Sequence, residues 1–121
     1  MIHRLTGKRV LVVEDNPALA YDIDNALSDN GVAVVGPAFS LASGLEMARN
    51  HTDCAVLDID IAGHFVWPLA RQLRSHHIPF VFVSADCQSK FPPDLAESMC
   101  VDKPAPTQAI VARVSEALAL H

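Results

Sequence analysis

Apolar positions along the chain fall into short unbroken runs, separated by longer stretches in which they recur every three or four residues. The runs are Val10–Val13, Val32–Val35, Cys54–Leu57, Phe80–Val83 and a weaker Met99–Val101. Each spans about four residues without clean polar alternation, the pattern of strands covered on both faces. Helical spacing fills the intervals. Asn16-Pro17 reads as an N-cap followed by proline at the first helical position; Leu19, Ile23, Ala26 and Leu27 then share a face, and Asn30-Gly31 ends the helix. Ser40 caps a second helix, whose Leu41, Leu45 and Ala48 point inward and which ends near Asn50. A third is predicted from Phe65 to His76, with Val66, Leu69 and Leu73 on one face, and a last from Thr107 to Leu120 around Ile110, Val111, Val114 and Leu118. Between Ser89 and Ser98 the pattern fails, because Pro92-Pro93 forbids a long helix.

Strand then helix, repeated about five times, predicts an α/β fold: a doubly wound, five-stranded parallel sheet with helices on both faces and a shortened or distorted fourth helix. The 121 residues fit one domain spanning 1–121, and a hydrophobic content of 50% suffices for a core at that size. A net charge of −5, from 9 basic and 14 acidic residues, argues against nucleic-acid binding, which needs a concentrated basic patch. No apolar run approaches the ~20 residues that cross a bilayer, and VLVV is too short for a signal sequence. Cys54, Cys87 and Cys100 are odd in number and widely spaced, without zinc spacing, so reduced thiols in a cytoplasmic protein are expected.

Sites in such folds form beyond the carboxyl ends of the strands. VLVV is followed by Glu14, Asp15 and Asn16; CAVL by Asp58 and Asp60; FVFV by Ser84 and Asp86; the last strand by Asp102, Lys103 and Pro104. Glu14 and Asp15 alone would read as a solvated turn, and Lys103 alone as a surface lysine; the set together reads as a site. Three carboxylates at one sheet edge repel one another and call for a cation, and oxygen-rich ligation suits Mg²⁺. Mg²⁺, a lysine and a hydroxyl are the equipment of phosphoryl transfer, which depends mostly on positioning and charge stabilisation. The nucleophile would be a carboxylate, and Asp58 on the middle strand is the best candidate.

With VVEDNP, AVLDIDI, FVFVSAD and VDKP in this order, the chain resembles the receiver domain of two-component response regulators, a flavodoxin-like fold, over nearly its whole length. The resemblance implies that Asp58 accepts a phosphoryl group from a partner's phosphohistidine, on a sensor histidine kinase or a histidine phosphotransfer protein of a phosphorelay. It implies that Glu14, Asp15, Asp58 and the backbone carbonyl of Asp60 hold Mg²⁺. Ser84 would bind the phosphoryl group, Lys103 would pair with it, and Lys103-Pro104 would be cis. PFVFVSAD and IAGHFVWPLA further resemble an alphaproteobacterial single-domain subgroup with a Pro-Phe-x-Phe-Ala-Thr-Gly-Tyr-like stretch. The chain is then a stand-alone signalling switch rather than an enzyme, acting through a downstream protein target without nucleic acid or membrane. A homodimer through the altered fourth-helix face is left open.

Some positions depart from the family. Cys100 occupies the place, three before the lysine, where many receivers carry an aromatic residue that rotates on phosphorylation, and Val66 replaces a frequent glycine. The missing aromatic and the fourth helix broken by Pro92-Pro93 motivate one alternative, a degenerate receiver acting as a constitutive interaction module. A second is a small phosphatase using Asp58-Ile59-Asp60 as a DxD motif, in which Asp60 would be the general acid/base. That motif belongs on a first strand, and here it follows the third. The six scattered histidines lack metal-ligand spacing; Trp67 is expected to pack on the third helix, and Cys100 to be core rather than redox-active.

Overall fold

The computed structural model describes residues 5–88 and 91–120. Five strands, β1 (Arg9–Val13), β2 (Ala33–Ala38), β3 (Cys54–Asp58), β6 (Phe80–Ser84) and β7 (Met99–Asp102), form one sheet in the order β2-β1-β3-β6-β7, every pairing parallel. Between β3 and β6 lie a two-stranded antiparallel hairpin, β4 (Asp60–Ile61) and β5 (His64–Phe65), and helix α3 (Trp67–Ser75). The other helices are α1 (Pro17–Asp29), α2 (Leu41–Met47) and α4 (Thr107–Ala119). The doubly wound fold expected from the pattern is the one observed.

Side chains alternate along the strands, so the sheet carries two cores. Leu11, Val13, Ala55, Leu57 and Phe82 face α2 and α3, while Val10, Val12, Cys54, Val56, Val81 and Val83 face α1 and α4. Local chemistry sets the helix ends. Asn16 accepts the Leu19 amide at 3.3 Å, and Ser40 accepts that of Ser43 at 3.1 Å. At the far end of α1 the amides of Gly31 and Val32 return to the carbonyls of Ser28 and Leu27, with Gly31 at φ +85°. This is a Schellman motif, and its left-handed position suits glycine. Gly44 lets α2 approach the sheet: a Cβ there would lie 3.1 Å from both Val13 and Leu69.

Two expectations are corrected. The third helix begins at Trp67, not Phe65, because Phe65 pairs with Asp60 in the hairpin. Its two-residue turn, Ala62 at φ 51° and Gly63 at φ 87°, has both central residues left-handed, the geometry that matches strand twist. The cysteines are not all reduced: Cys87 and Cys100 form a disulfide, and Cys54 is the buried free thiol. Sequence spacing does not show that the residues flanking the β6–β7 crossover come back together. As anticipated, among the described residues that crossover holds a single 3₁₀ turn, Pro93–Leu95, in place of a helix. Phe91 stacks on Phe82 there, Leu95 is fully buried, and Asp94 pairs with Arg71 at 3.0 Å. Trp67 packs edge-on against Phe82 and Phe91, as a core aromatic. Lys103-Pro104 is cis, and so is Gly36-Pro37.

Candidate functional site

All the parallel strands end at one edge, and β1 and β3 are adjacent there with connections leaving in opposite senses, the switch point at which α/β sheets bind ligands. Glu14 and Asp15 follow β1, Asp58 ends β3, Ser84 ends β6 and Lys103 follows β7. The structure gathers the first three into one cluster: Glu14, Asp15 and Asp58 each offer a carboxylate oxygen within 4.8 Å of the others. Glu14 is 2% exposed and Asp58 7%, whereas Asp15 is open to solvent. The Lys103 ammonium joins the same group, 2.9 Å from Glu14 Oε1 and 3.4 Å from Asp58 Oδ2. Glu14 Oε2 accepts the Asn16 amide at 3.1 Å, which fixes the remaining oxygen.

Asp60 stands apart. Its Oδ1 accepts the Gly63 amide at 2.9 Å, so its carboxylate serves the hairpin turn. Asp15 Oδ2 accepts the neighbouring Ala62 amide at 2.8 Å and thereby docks the hairpin onto the carboxylate cluster. This link escaped sequence reasoning, because an alanine in a left-handed turn carries no sequence signal. Ser84 lies at the rim: its hydroxyl accepts the Asp86 amide at 3.1 Å and donates to the Asp86 carbonyl at 3.4 Å. The Ser84 carbonyl accepts the Lys103 amide at 2.7 Å, tying the ends of β6 and β7 together.

Three carboxylates against one ammonium leave excess negative charge in a nearly buried site. Burial first, and the charge of Glu14 second, push Asp58 up to about 7, an effect that Lys103 only partly offsets. Burial works against the charge on Lys103, but its contacts with Glu14 and Asp58 outweigh it and hold its pKa above the usual range. Burial likewise opposes ionisation of Asp15; the Ala62 amide and neighbouring hydrogen bonds prevail, and its pKa lies below the usual range. An all-oxygen donor set with uncompensated charge fits a hard divalent cation such as Mg²⁺. The lysine supplies one positive charge where two more could be accommodated.

No protein-family model and no curated protein matches the chain. Solved structures do. The response regulator PhyR from Brucella abortus aligns at 26% identity and TM-score 0.80, covering 98% of this chain but only 51% of that one, so the chain spans about half of its length. SdrG from Sphingomonas melonis Fr1 aligns at 26% identity and TM-score 0.79, over 93% of this chain and 97% of that one. The PhyR receiver domain of Erythrobacter litoralis, at 20% identity, shares the fold with TM-score 0.84 over 96% and 93%. Among the described residues, no helix is long and apolar enough to cross a membrane. In sheet order, and in carrying its acidic cluster at the edge where such folds keep their sites, the chain has the fold of response-regulator receiver domains.

Proposed function

We propose that this domain is a phosphorylation-dependent switch in two-component signalling, with Asp58 as the phosphoacceptor. The observation that carries this reading is the contact of Lys103 with both Glu14 and Asp58, inside a carboxylate cluster at the sheet edge. In the transfer, Asp58 forms an oxygen–phosphorus bond while the donor's nitrogen–phosphorus bond breaks, its electron pair returning to the imidazole. Lys103 offsets charge at the acceptor, and Ser84, on turning from Asp86, donates a hydrogen bond to a phosphoryl oxygen. Glu14, Asp15, Asp58 and the Asp60 carbonyl would hold Mg²⁺, whose charge lowers the repulsion that the incoming phosphoryl oxygens meet.

The donor is a phosphohistidine on a sensor kinase or phosphotransfer protein, and the output passes through a protein target in the cytoplasm. PFVFVSAD supports placement in the alphaproteobacterial subgroup. The test is intact mass after incubation with a small phosphodonor and Mg²⁺. One added phosphoryl group on wild type, absent from Asp58→Asn and from an EDTA control, supports the switch. Continuous turnover of a generic phosphate ester would favour the phosphatase instead. A wild type that neither gains mass with a cognate kinase nor binds Mg²⁺ would be a constitutive interaction module.

A further inference from the structure

The Cys87–Cys100 disulfide, with Cα atoms 5.8 Å apart, links the segment that follows β6 to β7. Cys87 follows Ser84 by three residues and Cys100 precedes Lys103 by three. The bond therefore joins the backbone leaving one site residue to the strand that delivers another. A second clip reinforces it, because the Cys87 amide donates to Asp102 Oδ1 at 2.8 Å. Inside this clamp the turn closes on itself, Asp86 Oδ1 accepting the Gln88 amide at 2.8 Å and Ser84 Oγ accepting that of Asp86. The Ser84 O–H is directed at the Asp86 carbonyl, 3.4 Å away, and must swing from it before it can donate to a group on Asp58; the clamp keeps that carbonyl within reach.

The pair is also placed to react. Both cysteines are half-buried, on the sheet face where a 3₁₀ turn stands in place of a helix. Cys54 offers no competing partner: it is buried in the opposite core, where burial pushes its thiol up to about 12.

We propose that Cys87 and Cys100 form a reversible dithiol–disulfide site, and that the bond holds the Ser84–Asp86 turn in a form that slows phosphoryl transfer to Asp58. In a reducing compartment, disulfides of this kind are transient and regulatory. The oxidant is a low-molecular-weight disulfide. One cysteine thiolate attacks it and releases a thiol; the second cysteine then displaces the attached half as another thiol. Two protein thiols are oxidised, the small disulfide is reduced, and the two protons pass to its thiol products. A dithiol reductant reverses the exchange. The consequence for Asp58 rests on the function proposed above; the sulfur chemistry does not.

The test uses the full chain equilibrated with oxidised glutathione or with dithiothreitol. Native alkylation followed by mass analysis should show two reactive thiols in the reduced form and none in the oxidised form, with Cys54 labelled only after denaturation. With a small phosphodonor and Mg²⁺, the oxidised form should gain its phosphoryl group about tenfold more slowly, the cost of forgoing one charge-assisted hydrogen bond. Cys87→Ser should match the reduced form in either buffer. Ser84→Ala should be slow and indifferent to oxidation, an outcome a merely stabilising disulfide would not give. Failure of the disulfide to form, or equal rates in the two forms, would overturn the proposal. If neither form is phosphorylated, the phosphoacceptor reading falls, and amide NMR decides the remainder: unchanged Ser84–Asp86 signals on reduction overturn the clamp, and shifted signals support it.

Discussion

Lys103 reaches two nearly buried carboxylates with one ammonium, 2.9 Å from Glu14 and 3.4 Å from Asp58, and its own side chain is 24% exposed. Lys103→Gln leaves those charges facing each other, and a loss of about 2 kcal/mol is expected in metal-free protein at neutral pH, after discounting for the exposed share. The urea midpoint should fall accordingly, and a midpoint unmoved by the change would contradict the pairing. The lysine was legible in the sequence from its order after Ser84; its grip on Glu14 was not, because side-chain reach across two strands leaves no spacing signal. His77 makes a different residue-scale case. It ends α3 at φ 59°, with the amides of His77 and Ile78 returning to Arg74 and Leu73, the same motif that α1 completes with Gly31. A left-handed L-residue costs ~1–2 kcal/mol, and glycine returns part of that as unfolded-state entropy. His77→Gly should therefore raise stability by about 0.5–1 kcal/mol in equilibrium unfolding. A decrease would mean that the exposed imidazole makes a contact worth more than the strain.

The β6–β7 crossover shows how an element can be replaced by point attachments. Pro92-Pro93 announced in the sequence that no long helix would form, since each proline lacks the amide a helix needs. What holds the segment instead could not be read there: buried Leu95, the Phe91–Phe82 stack, the Arg71–Asp94 pair and the disulfide. The ion pair is half-exposed at both ends and contributes little. The cysteines are 13 apart in sequence, and a ring of about that size constrains the unfolded chain by ~3 kcal/mol. Reduction should therefore lower the melting temperature by roughly 10 °C for a domain of this length. Cys87→Ser should melt with the reduced protein and ignore reductant; a melting temperature indifferent to reduction would show that Leu95 and Phe91 suffice. The β4–β5 hairpin was invisible in the sequence for a related reason. Strands of two residues have no period to detect, and their turn is fixed by Asp15, a tertiary contact.

At the scale of the whole molecule, the sheet edge trades stability for a charged site, and pH exposes the trade. Asp58 sits at about 7 in the folded state against 3.8 as its ordinary value, burial and Glu14 being the causes. Between those values the folded chain binds more protons at this position than the unfolded chain does. Stability therefore falls as pH rises from about 4 to 7, the reverse of a carboxylate held low by a partner. Asp15 and Asp53, both held below the usual range, act in the opposite sense only in more acidic solution, where stability is lost as pH falls through their folded values. Each unit is worth ~1.4 kcal/mol, so the loss reaches a few kcal/mol at most, the attraction of Lys103 being already contained in the folded value. A divalent cation binds the ionised cluster, so Mg²⁺ should stabilise the protein more at pH 8 than at pH 5. Asp58→Asn removes the penalty: in EDTA at pH 8 it should be about 1–3 kcal/mol more stable than wild type and should gain less from Mg²⁺. Thermal melts of both proteins at the two pH values, with EDTA and with Mg²⁺, contain the whole comparison. A wild type that is steadier at pH 8 than at pH 5 in EDTA would show that Lys103 outweighs burial and Glu14 at Asp58. In that event Asp58 would be ionised without a metal, the gain from Mg²⁺ would no longer depend on pH between 5 and 8, and the case for Asp58 as an activated acceptor would weaken with it.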